Sequence, residues 1–216
     1  MKHLAILLLT LVCNRSLAQN TTNKNDSLSS PLGAYSKEWN KPVYTDCNTA
    51  TKANFLNEKE KTVIYILNLA RENPKLFAKT VLAKYPALSG KDDLVNDEYY
   101  YQSLVNTMLT MAPAPLLYAD EKCFKSAECH SKTSGKAGYT GHDRISKACK
   151  AIESYAAECC DYGNEDPLEI VLSLLIDQDV PSLGHRRALL GPYTKVGISI
   201  QPHKTYTFNA VLDFDY

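Results

Sequence analysis

Residues 196–212 read VGISIQPHKTYTFNAVL, and this stretch decides the fold class. Apolar side chains alternate with other residues in 196–200 and again in 206–212. Alternation with a period of two is typical of a strand that buries one face. Because the proline-containing segment 201–204 separates the two runs, the pattern predicts a β-hairpin at the end of the chain.

The part of the chain before this hairpin is predicted to be largely helical. Apolar residues recur at i, i+3, i+4 and i+7 in 63–70, and similar stripes follow in 77–85 and 101–111. Asp166 followed by Pro167 predicts the start of a further helix, because aspartate is a preferred N-cap and proline is favoured in the first helical turn. Helices early and strands late in the chain indicate an α+β domain.

Residues 1–18 are predicted to be a secretory signal peptide. Lys2 gives a basic start, Leu4–Val12 is an apolar run, and Ser16 and Ala18 are small residues at the positions that determine cleavage. The apolar run is shorter than the roughly 20 residues that span a bilayer, so no transmembrane segment is expected. The mature protein is therefore expected to be secreted or periplasmic.

Two further parts follow the predicted cleavage site. Residues 19–58 are rich in Asn, Thr, Ser and Lys and show little apolar periodicity, so they are predicted to form a flexible N-terminal arm. Trp39 and Tyr44 are candidates to pin its later part to the domain. Residues 59–216 carry the helical stripes and the hairpin and are predicted to form one folded domain, with ample length for a hydrophobic core.

The charge of the chain argues against a nucleic-acid partner. The 24 Lys and Arg residues balance the 24 Asp and Glu residues, and cleavage after Ala18 would remove Lys2 and Arg15 but no acid. Binding to nucleic acid requires a basic face, which a mature chain of slightly negative net charge does not favour. No nucleic-acid partner is therefore expected.

The cysteines predict disulfide bonds. Six of them follow the predicted cleavage site, and an even number in an exported chain favours a disulfide framework. Cys159 and Cys160 are adjacent, and they are predicted to pair with separate partners or to leave one buried thiol. The six are Cys47, Cys123, Cys129, Cys149, Cys159 and Cys160.

Histidines are concentrated in the later part of the chain, where every one except His3 lies between residues 130 and 203. Histidine titrates near neutral pH and is the commonest metal ligand, so a site is expected in this segment. His130 shares a helical face with small and apolar residues and is predicted to be packed, whereas His203 is predicted to be solvated at the hairpin turn. Arg186 is predicted to be solvated or to pair with a carboxylate.

Several short motifs occur in a characteristic order between residue 60 and the end of the chain. They are Pro115-Leu116-Leu117-Tyr118-Ala119-Asp120, Gly141-His142, Ala157-Glu158, Gly184-His185-Arg186 and Val196-Gly197-Ile198. This order resembles the bacterial branch of the CAP superfamily, the group of cysteine-rich secretory proteins, antigen 5 and plant pathogenesis-related proteins. The resemblance implies an α+β fold, a three-layer α-β-α sandwich with a C-terminal β-hairpin. It also implies a cleft lined by two histidines and two acids, which in some members binds zinc or another divalent cation.

The resemblance assigns roles to individual residues. His142 resembles the first cleft histidine, Glu158 the acid of the family's Gly-Glu-Asn motif, and His185 the second histidine. Asp177 is predicted to be the second cleft acid, and Glu169 is the alternative, although Glu169 also suits the capping position of its helix. The plain structural alternative for Glu158 is an ion pair with Arg144 or Arg186.

The predicted set has the chemistry of a metal cleft. Two neutral imidazoles and a carboxylate hold Zn²⁺ at about 2.0–2.2 Å and leave a position for water, whose pKa the metal lowers to about 7. The sequence contains neither a Gly-x-Ser-x-Gly nor a His-Glu-x-x-His motif. The predicted ligands are His142, His185, Glu158 and Asp177, with zinc or another divalent cation as the cofactor.

Three functional hypotheses follow from this reading. The favoured one is an exported CAP-like binding module whose partner is a small apolar molecule, such as a lipid, or an extracellular protein. The alternative is a metal-assisted extracellular hydrolase, in which His142 and His185 hold the metal and Glu158 acts as base or orients a histidine. The third is a structural or defensive secreted protein whose cleft is vestigial.

Overall fold

The computed structural model describes residues 29–216. The predicted signal peptide, 1–18, and the first part of the predicted arm, 19–28, lie outside the described residues. Among the residues described, no helix has the length and apolar character needed to cross a membrane.

Residues 29–57 pack against the domain, where the sequence predicted a flexible arm for 19–58. Two short 3-10 helices, Lys37–Asn40 and Pro42–Cys47, shape this segment. Leu32 and Trp39 are at most 1% exposed, and the Trp39 indole nitrogen donates to Thr80 Oγ1 at 3.0 Å. The predicted anchoring by Trp39 and Tyr44 is confirmed, whereas the packing of the rest of the segment was not predicted, because widely spaced apolar residues give no periodic signal. The packed domain therefore begins well before residue 59.

Helices make up most of the described chain. Asn57 begins the first one with a capping box, in which Asn57 Oδ1 accepts from the Glu60 amide at 3.0 Å and Glu60 Oε2 accepts from the Asn57 amide at 2.8 Å. A π-helical turn, Ala78–Leu82, joins the second helix to the third, and another, Glu98–Gln102, precedes the fourth. The helices are α1 Glu58–Glu72, α2 Pro74–Phe77, α3 Ala83–Ser89, α4 Ser103–Thr110, α5 Glu121–Ala137, α6 Lys147–Ile152, α7 Pro167–Ile176 and α8 Gly184–Leu189.

Four strands form one mixed sheet in the order β1-β3-β4-β2. The strands are β1 Tyr118–Ala119, β2 Ala157–Tyr162, β3 Lys195–His203 and β4 Thr207–Asp215. The short β1 runs parallel to β3, while β3 with β4 and β4 with β2 are antiparallel. The predicted C-terminal hairpin and the mixture of helices and strands are confirmed.

The two faces of the sheet have different neighbours. On one face, α5 packs so closely on β3 that a Cβ at Gly197 would lie 1.9 Å from the Phe124 backbone nitrogen. On the other face, Ile198, Leu212 and Cys159 are fully or almost fully buried in the main hydrophobic core, to which α1 and α7 contribute. Since successive side chains of a strand point to opposite faces, Glu158 and Cys160 of β2 lie on the α5 side.

The hairpin turn holds His203 in a way that the sequence did not predict. His203 is only 4% exposed, and its Nδ1 accepts from the amides of Thr205 at 3.2 Å and Tyr206 at 3.1 Å. The prediction of a solvated His203 is wrong, because the imidazole caps its own turn and packs beside Tyr162.

One disulfide lies within the described residues, and it joins Cys129 of α5 to Cys149 of α6. Disulfide bonding is therefore confirmed for this pair. The other four cysteines of the described chain are buried free thiols: Cys47, Cys123, Cys159 and Cys160. Cys159 and Cys160 point to opposite faces of β2, and both are buried thiols, so the prediction that they pair with separate partners or leave only one thiol is wrong.

Candidate functional site

Two histidine–carboxylate pairs face each other at one end of the sheet. His142 Nδ1 lies 2.8 Å from Glu158 Oε1, and His185 Nδ1 lies 2.7 Å from Asp177 Oδ1. The centres of the two imidazole rings are 6.1 Å apart, and the ring planes are inclined at 41°. The structure thus brings together all four residues that the sequence nominated for the cleft.

The loop after α5 presents His142. The helix ends at Gly138, whose φ of 72° places it in the left-handed region that favours glycine. Just before His142, the Gly141 amide donates to the Tyr162 hydroxyl at 2.8 Å, and the Gly141 carbonyl lies 2.9 Å from His130 Nε2. The backbone is therefore fixed from both sides while the His142 side chain stays 55% exposed.

Strand β2 carries Glu158, whose carboxylate contacts the His142 ring. Its side chain is 2% exposed, and Oε2 forms a 2.5 Å ion pair with Arg144 Nη2. The strand register places Glu158 opposite Asp213 of β4, and Arg144 Nη2 also lies 3.4 Å from Asp213 Oδ2. Arg144 and the two acids therefore form a buried cluster beneath His142.

The charge state of this cluster follows from its burial and pairing. Burial alone would raise the pKa of Glu158, but the hydrogen bonds from His142 and Arg144 outweigh it and lower the pKa below its usual range. Burial and the neighbouring charge of Glu158 raise the pKa of Asp213. One ionised carboxylate therefore balances Arg144 at neutral pH, while Asp213 is held towards its protonated form.

Asp177 presents His185 by capping the next helix. Asp177 ends α7 in a left-handed conformation, with φ 60° and ψ 40°. Its Oδ2 accepts from the amides of His185 at 2.9 Å and Arg186 at 3.3 Å, which are otherwise unpaired in the first turn of α8. Glu169 is engaged elsewhere, because its Oε2 accepts from the Tyr85 hydroxyl at 2.7 Å and from Lys91 at 2.8 Å.

A strained connection between α7 and α8 sets the position of His185. Asp177, Asp179 and Leu183 all have positive φ, between 50° and 63°, which costs energy for residues other than glycine. The buried Arg186 compensates by donating to the Leu175 carbonyl at 2.7 Å and to further groups of α7 and the Tyr100 turn. The prediction that Arg186 is solvated or pairs with a carboxylate through its side chain is therefore wrong.

A cavity of about 950 Å³ opens beside the second pair, with His185 and Asp177 in its wall. Cys160 and Tyr162 reach it from β2. Its lining also contains three further acids and a single lysine: Asp161, Glu169, Asp179 and Lys91. This acid-rich lining favours a cation over an anion.

The four predicted ligands do not converge on a common point. Each carboxylate contacts Nδ1 of its histidine, which leaves the Nε2 atoms of His142 and His185 as the free imidazole nitrogens. Within the described part of the chain, the group of three ligating residues whose donor atoms lie within 4.8 Å of one another is His130, Glu158 and Cys160. Glu158 and Asp177 are therefore placed to orient the histidines of the predicted cleft rather than to join them as ligands.

Asp213 and Cys160 belong to the site but were not nominated from the sequence. Arg144 was expected only as a possible ion-pair partner of Glu158, and the structure confirms that pair. Asp213 lies more than 50 residues after Glu158 in the sequence, and it reaches the buried cluster only through the register between β2 and β4. No local pattern in the sequence gives that register.

Searches against protein-family models, curated proteins and solved structures found no match to this chain. Its functional assignment therefore depends on the residues and geometry of the site.

The pairing of His142 with Glu158 predicts a raised histidine pKa. The hydrogen bond that His142 donates to Glu158 raises the pKa of His142 and outweighs the lowering caused by partial burial. Because the folded-state pKa is raised, the stabilisation from this pair is present below the unfolded pKa of about 6.5 and is lost as the pH rises through the folded value. An NMR titration of the metal-free protein should place the His142 pKa above that of an unfolded histidine.

Glu158→Gln supplies the matched test, since it keeps the side-chain shape and removes the charge. The His142 pKa should fall in this variant, whereas Asp143→Asn, at an exposed neighbouring acid, should change it far less. An unchanged His142 pKa in Glu158→Gln would show that the carboxylate does not control the imidazole.

Proposed function

We propose that this chain is an exported binding module of the CAP type whose cleft takes a divalent cation, zinc foremost, between His142 and His185. The observation that carries the proposal is the pairing of both imidazoles through Nδ1 with a carboxylate. Metal-binding histidines almost always donate their second N–H to such a partner, which fixes the tautomer and leaves the other nitrogen free to coordinate. Here the nitrogens left free are the two Nε2 atoms.

The two rings lie about 1 Å farther apart than a single bound zinc ion requires. Two imidazoles on one tetrahedral zinc, with Zn–N of about 2.0–2.1 Å, have ring centres roughly 5 Å apart. The observed separation is 6.1 Å, and His142 lies on an exposed loop that could close the difference. The remaining positions on the cation would be open to water or to a bound partner.

The architecture supports the CAP part of the proposal. Helix α5 covers one face of the sheet, and α1 and α7 contribute to the core on the other, an arrangement that the three-layer sandwich requires. The disulfide between α5 and α6 fits an oxidising compartment, and with the predicted signal peptide it supports export to the periplasm or the exterior.

The state of Glu158 favours binding over hydrolysis. A general base works best when its pKa lies near the working pH. Both oxygens of Glu158 are engaged, by His142 and Arg144, and its pKa is lowered. Asp177 likewise uses both oxygens, on His185 and on two helix amides. The hydrolase alternative therefore lacks a ready base among these residues.

Zinc titration by calorimetry at neutral pH tests the proposal. The oxidised mature chain should show a binding event that the His142→Ala, His185→Ala double variant lacks. Asp177→Asn should weaken this event by roughly 10–100-fold, as expected when the partner of a metal-binding histidine is altered. Asp143→Asn is the control for a change of charge in the same loop and should bind like the parent protein. Equal zinc binding by the parent and the double variant would refute a cation between the two histidines.

A further inference from the structure

We propose a second cation site, buried next to the first and made by His130, Glu158 and Cys160, that takes a thiophilic divalent metal such as zinc. One donor atom from each residue lies within 4.8 Å of the other two. His130 is fully buried, Cys160 is 7% exposed, and the Glu158 side chain is 2% exposed. The cluster brings together helix α5 and strand β2, which hold all three side chains on regular structure.

His130 has an unused lone pair in this cluster. Its Nε2 lies 2.9 Å from the Gly141 carbonyl oxygen, and since a carbonyl can only accept, Nε2 carries the proton and donates. Nδ1 is then the unprotonated nitrogen, and it is buried without a hydrogen-bond partner among the described residues. Buried polar atoms are nearly always paired, so this nitrogen calls for a partner that the described side chains do not supply.

The second hydrogen bond of His130 is the kind that metal ligands have. A ligating histidine typically donates its other N–H to a backbone carbonyl or a carboxylate, as His130 does to Gly141. Burial also lowers the pKa of His130, which keeps the ring in the neutral form that coordinates metals.

Cys160 supplies the sulfur. Its Sγ lies 3.8 Å from His142 Nδ1 and 4.0 Å from the Gly141 oxygen, on the side of β2 that faces α5. Burial raises the thiol pKa well above its usual value, so without a metal the sulfur is protonated and inert. A metal ion would bind the thiolate, and the thiol proton would leave to solvent, one proton for each metal bound.

Glu158 supplies the third donor atom and keeps its ion pair with Arg144. Its Oε2 is held by Arg144 at 2.5 Å, and the same arginine contacts Asp213 at 3.4 Å. Ligating carboxylates are commonly held by such hydrogen-bonding neighbours. The thiolate and the carboxylate offset the charge of a divalent ion, and the one positive charge that Arg144 then leaves could be balanced by ionisation of the neighbouring Asp213, which limits the cost of burial.

The mixture of donors selects the metal. Sulfur, imidazole and carboxylate together suit zinc and its substitute cobalt, whereas magnesium and calcium prefer oxygen ligands alone. Donor atoms on one tetrahedral zinc lie roughly 3.3–3.6 Å apart, so the distances between the donors, which are at most 4.8 Å, would shorten by up to about 1.2–1.5 Å on binding. The site does not require His185, although it shares Glu158 with the cleft proposed above.

Cobalt titration followed by absorption spectroscopy separates the two sites. The probe is Co²⁺ added to the full, disulfide-bonded mature chain. Coordination by a thiolate produces a sulfur-to-cobalt charge-transfer band in the near ultraviolet, which imidazole and carboxylate ligands do not produce. The parent protein should show this band. Cys160→Ala and Cys160→Ser should abolish it, and His130→Gln should weaken the cobalt affinity by at least about tenfold.

Two controls make the outcome specific. Cys123→Ala removes another buried thiol, on α5 itself, and should leave the band unchanged. His185→Ala removes only the cleft site, so it should also leave the band while lowering the total cobalt bound. Circular dichroism and thermal unfolding would establish that each variant is folded.

The proposal is overturned if the parent protein shows no charge-transfer band, or if the band survives in both folded Cys160 variants. Cobalt binding without the band that disappears in His185→Ala would leave the cleft site standing and exclude this one. A band that requires Cys160, together with cobalt binding that is insensitive to His185, would support this site and count against the cleft.

Discussion

Replacing Arg144 with methionine should lower the free energy of unfolding by about 3–5 kcal/mol at neutral pH. Arg144 and Glu158 form an ion pair whose side chains are 1% and 2% exposed, with Asp213 beside them. Methionine fills much of the same space but leaves the ionised Glu158 without its main counter-charge. A buried charge without a partner costs far more than an ion pair gains at the surface.

The destabilisation caused by Arg144→Met should become smaller as the pH falls. The folded-state pKa of Glu158 is lowered, so its pairing stabilises the fold above the unfolded pKa, and this contribution is lost as the pH falls through the folded value. The difference between the parent protein and Arg144→Met should therefore shrink in acid. Urea unfolding at several pH values measures it.

Arg144→Met combined with Glu158→Gln provides the decisive comparison. Removing the unpaired charge should make the double variant more stable than Arg144→Met alone, although each change by itself is destabilising. If Arg144→Met costs less than 1 kcal/mol, as an exposed pair would, or if the double variant is no better, the buried-charge account fails.

Gly197→Ala should destabilise the protein by about 3 kcal/mol or more, the upper end of the cost of overpacking. The added Cβ would lie 1.9 Å from the Phe124 nitrogen and 2.2 Å from the Cys123 carbonyl carbon. These are backbone atoms in the first turns of α5, and they cannot move aside by changing rotamer.

The start of α5 is also tied to the strand that carries Gly197. The Tyr118 amide donates to the Thr194 carbonyl at 2.8 Å, and the Asp120 amide donates to the Val196 carbonyl at 2.9 Å. Asp120 then caps the helix by accepting from the Cys123 amide at 2.9 Å. Moving α5 away from the new methyl group would break these bonds.

Ser199→Ala is the matched control, at a buried position on the same strand and facing the same way. It removes a hydroxyl that accepts from Gln201 Nε2 at 3.0 Å, so it should cost no more than about 0.5–1.5 kcal/mol. Thermal and urea unfolding of both variants would check this. A Gly197→Ala protein as stable as Ser199→Ala would mean that α5 can retreat from the sheet at little cost.

The sequence predicted the parts of the fold that follow from local patterns. Alternation in 196–212 predicted the hairpin, and Asp166-Pro167 predicted the start of α7, where Asp166 Oδ1 does accept from the Leu168 amide at 2.9 Å. The anchoring of the later part of 29–57 by Trp39 was predicted, but the packing of the earlier part around Leu32 was not, because isolated apolar residues produce no periodic signal.

The two histidines and two acids of the candidate site were predicted from the sequence, but their contacts were not. His142, Glu158, His185 and Asp177 were nominated by motif order, and the structure brings them together in two pairs. The order of the motifs does not predict which ring nitrogen each acid contacts, because that depends on side-chain geometry. The buried positions of Arg186 and His203 were also unpredictable, because both side chains satisfy backbone groups that are positioned only in the folded chain.

The Cys129–Cys149 disulfide constrains the backbone around His142 but not the backbone around His185. It closes a loop with a sequence separation of 20 residues, and that loop contains His142 and Arg144. Closing a loop of this size lowers the conformational entropy of the unfolded chain and so destabilises the unfolded state by about 3 kcal/mol. His185 lies outside this loop, and its position depends on contacts with Asp177 and on the hydrogen bonds of Arg186. Reduction of the disulfide should therefore loosen the backbone around His142 more than the backbone around His185.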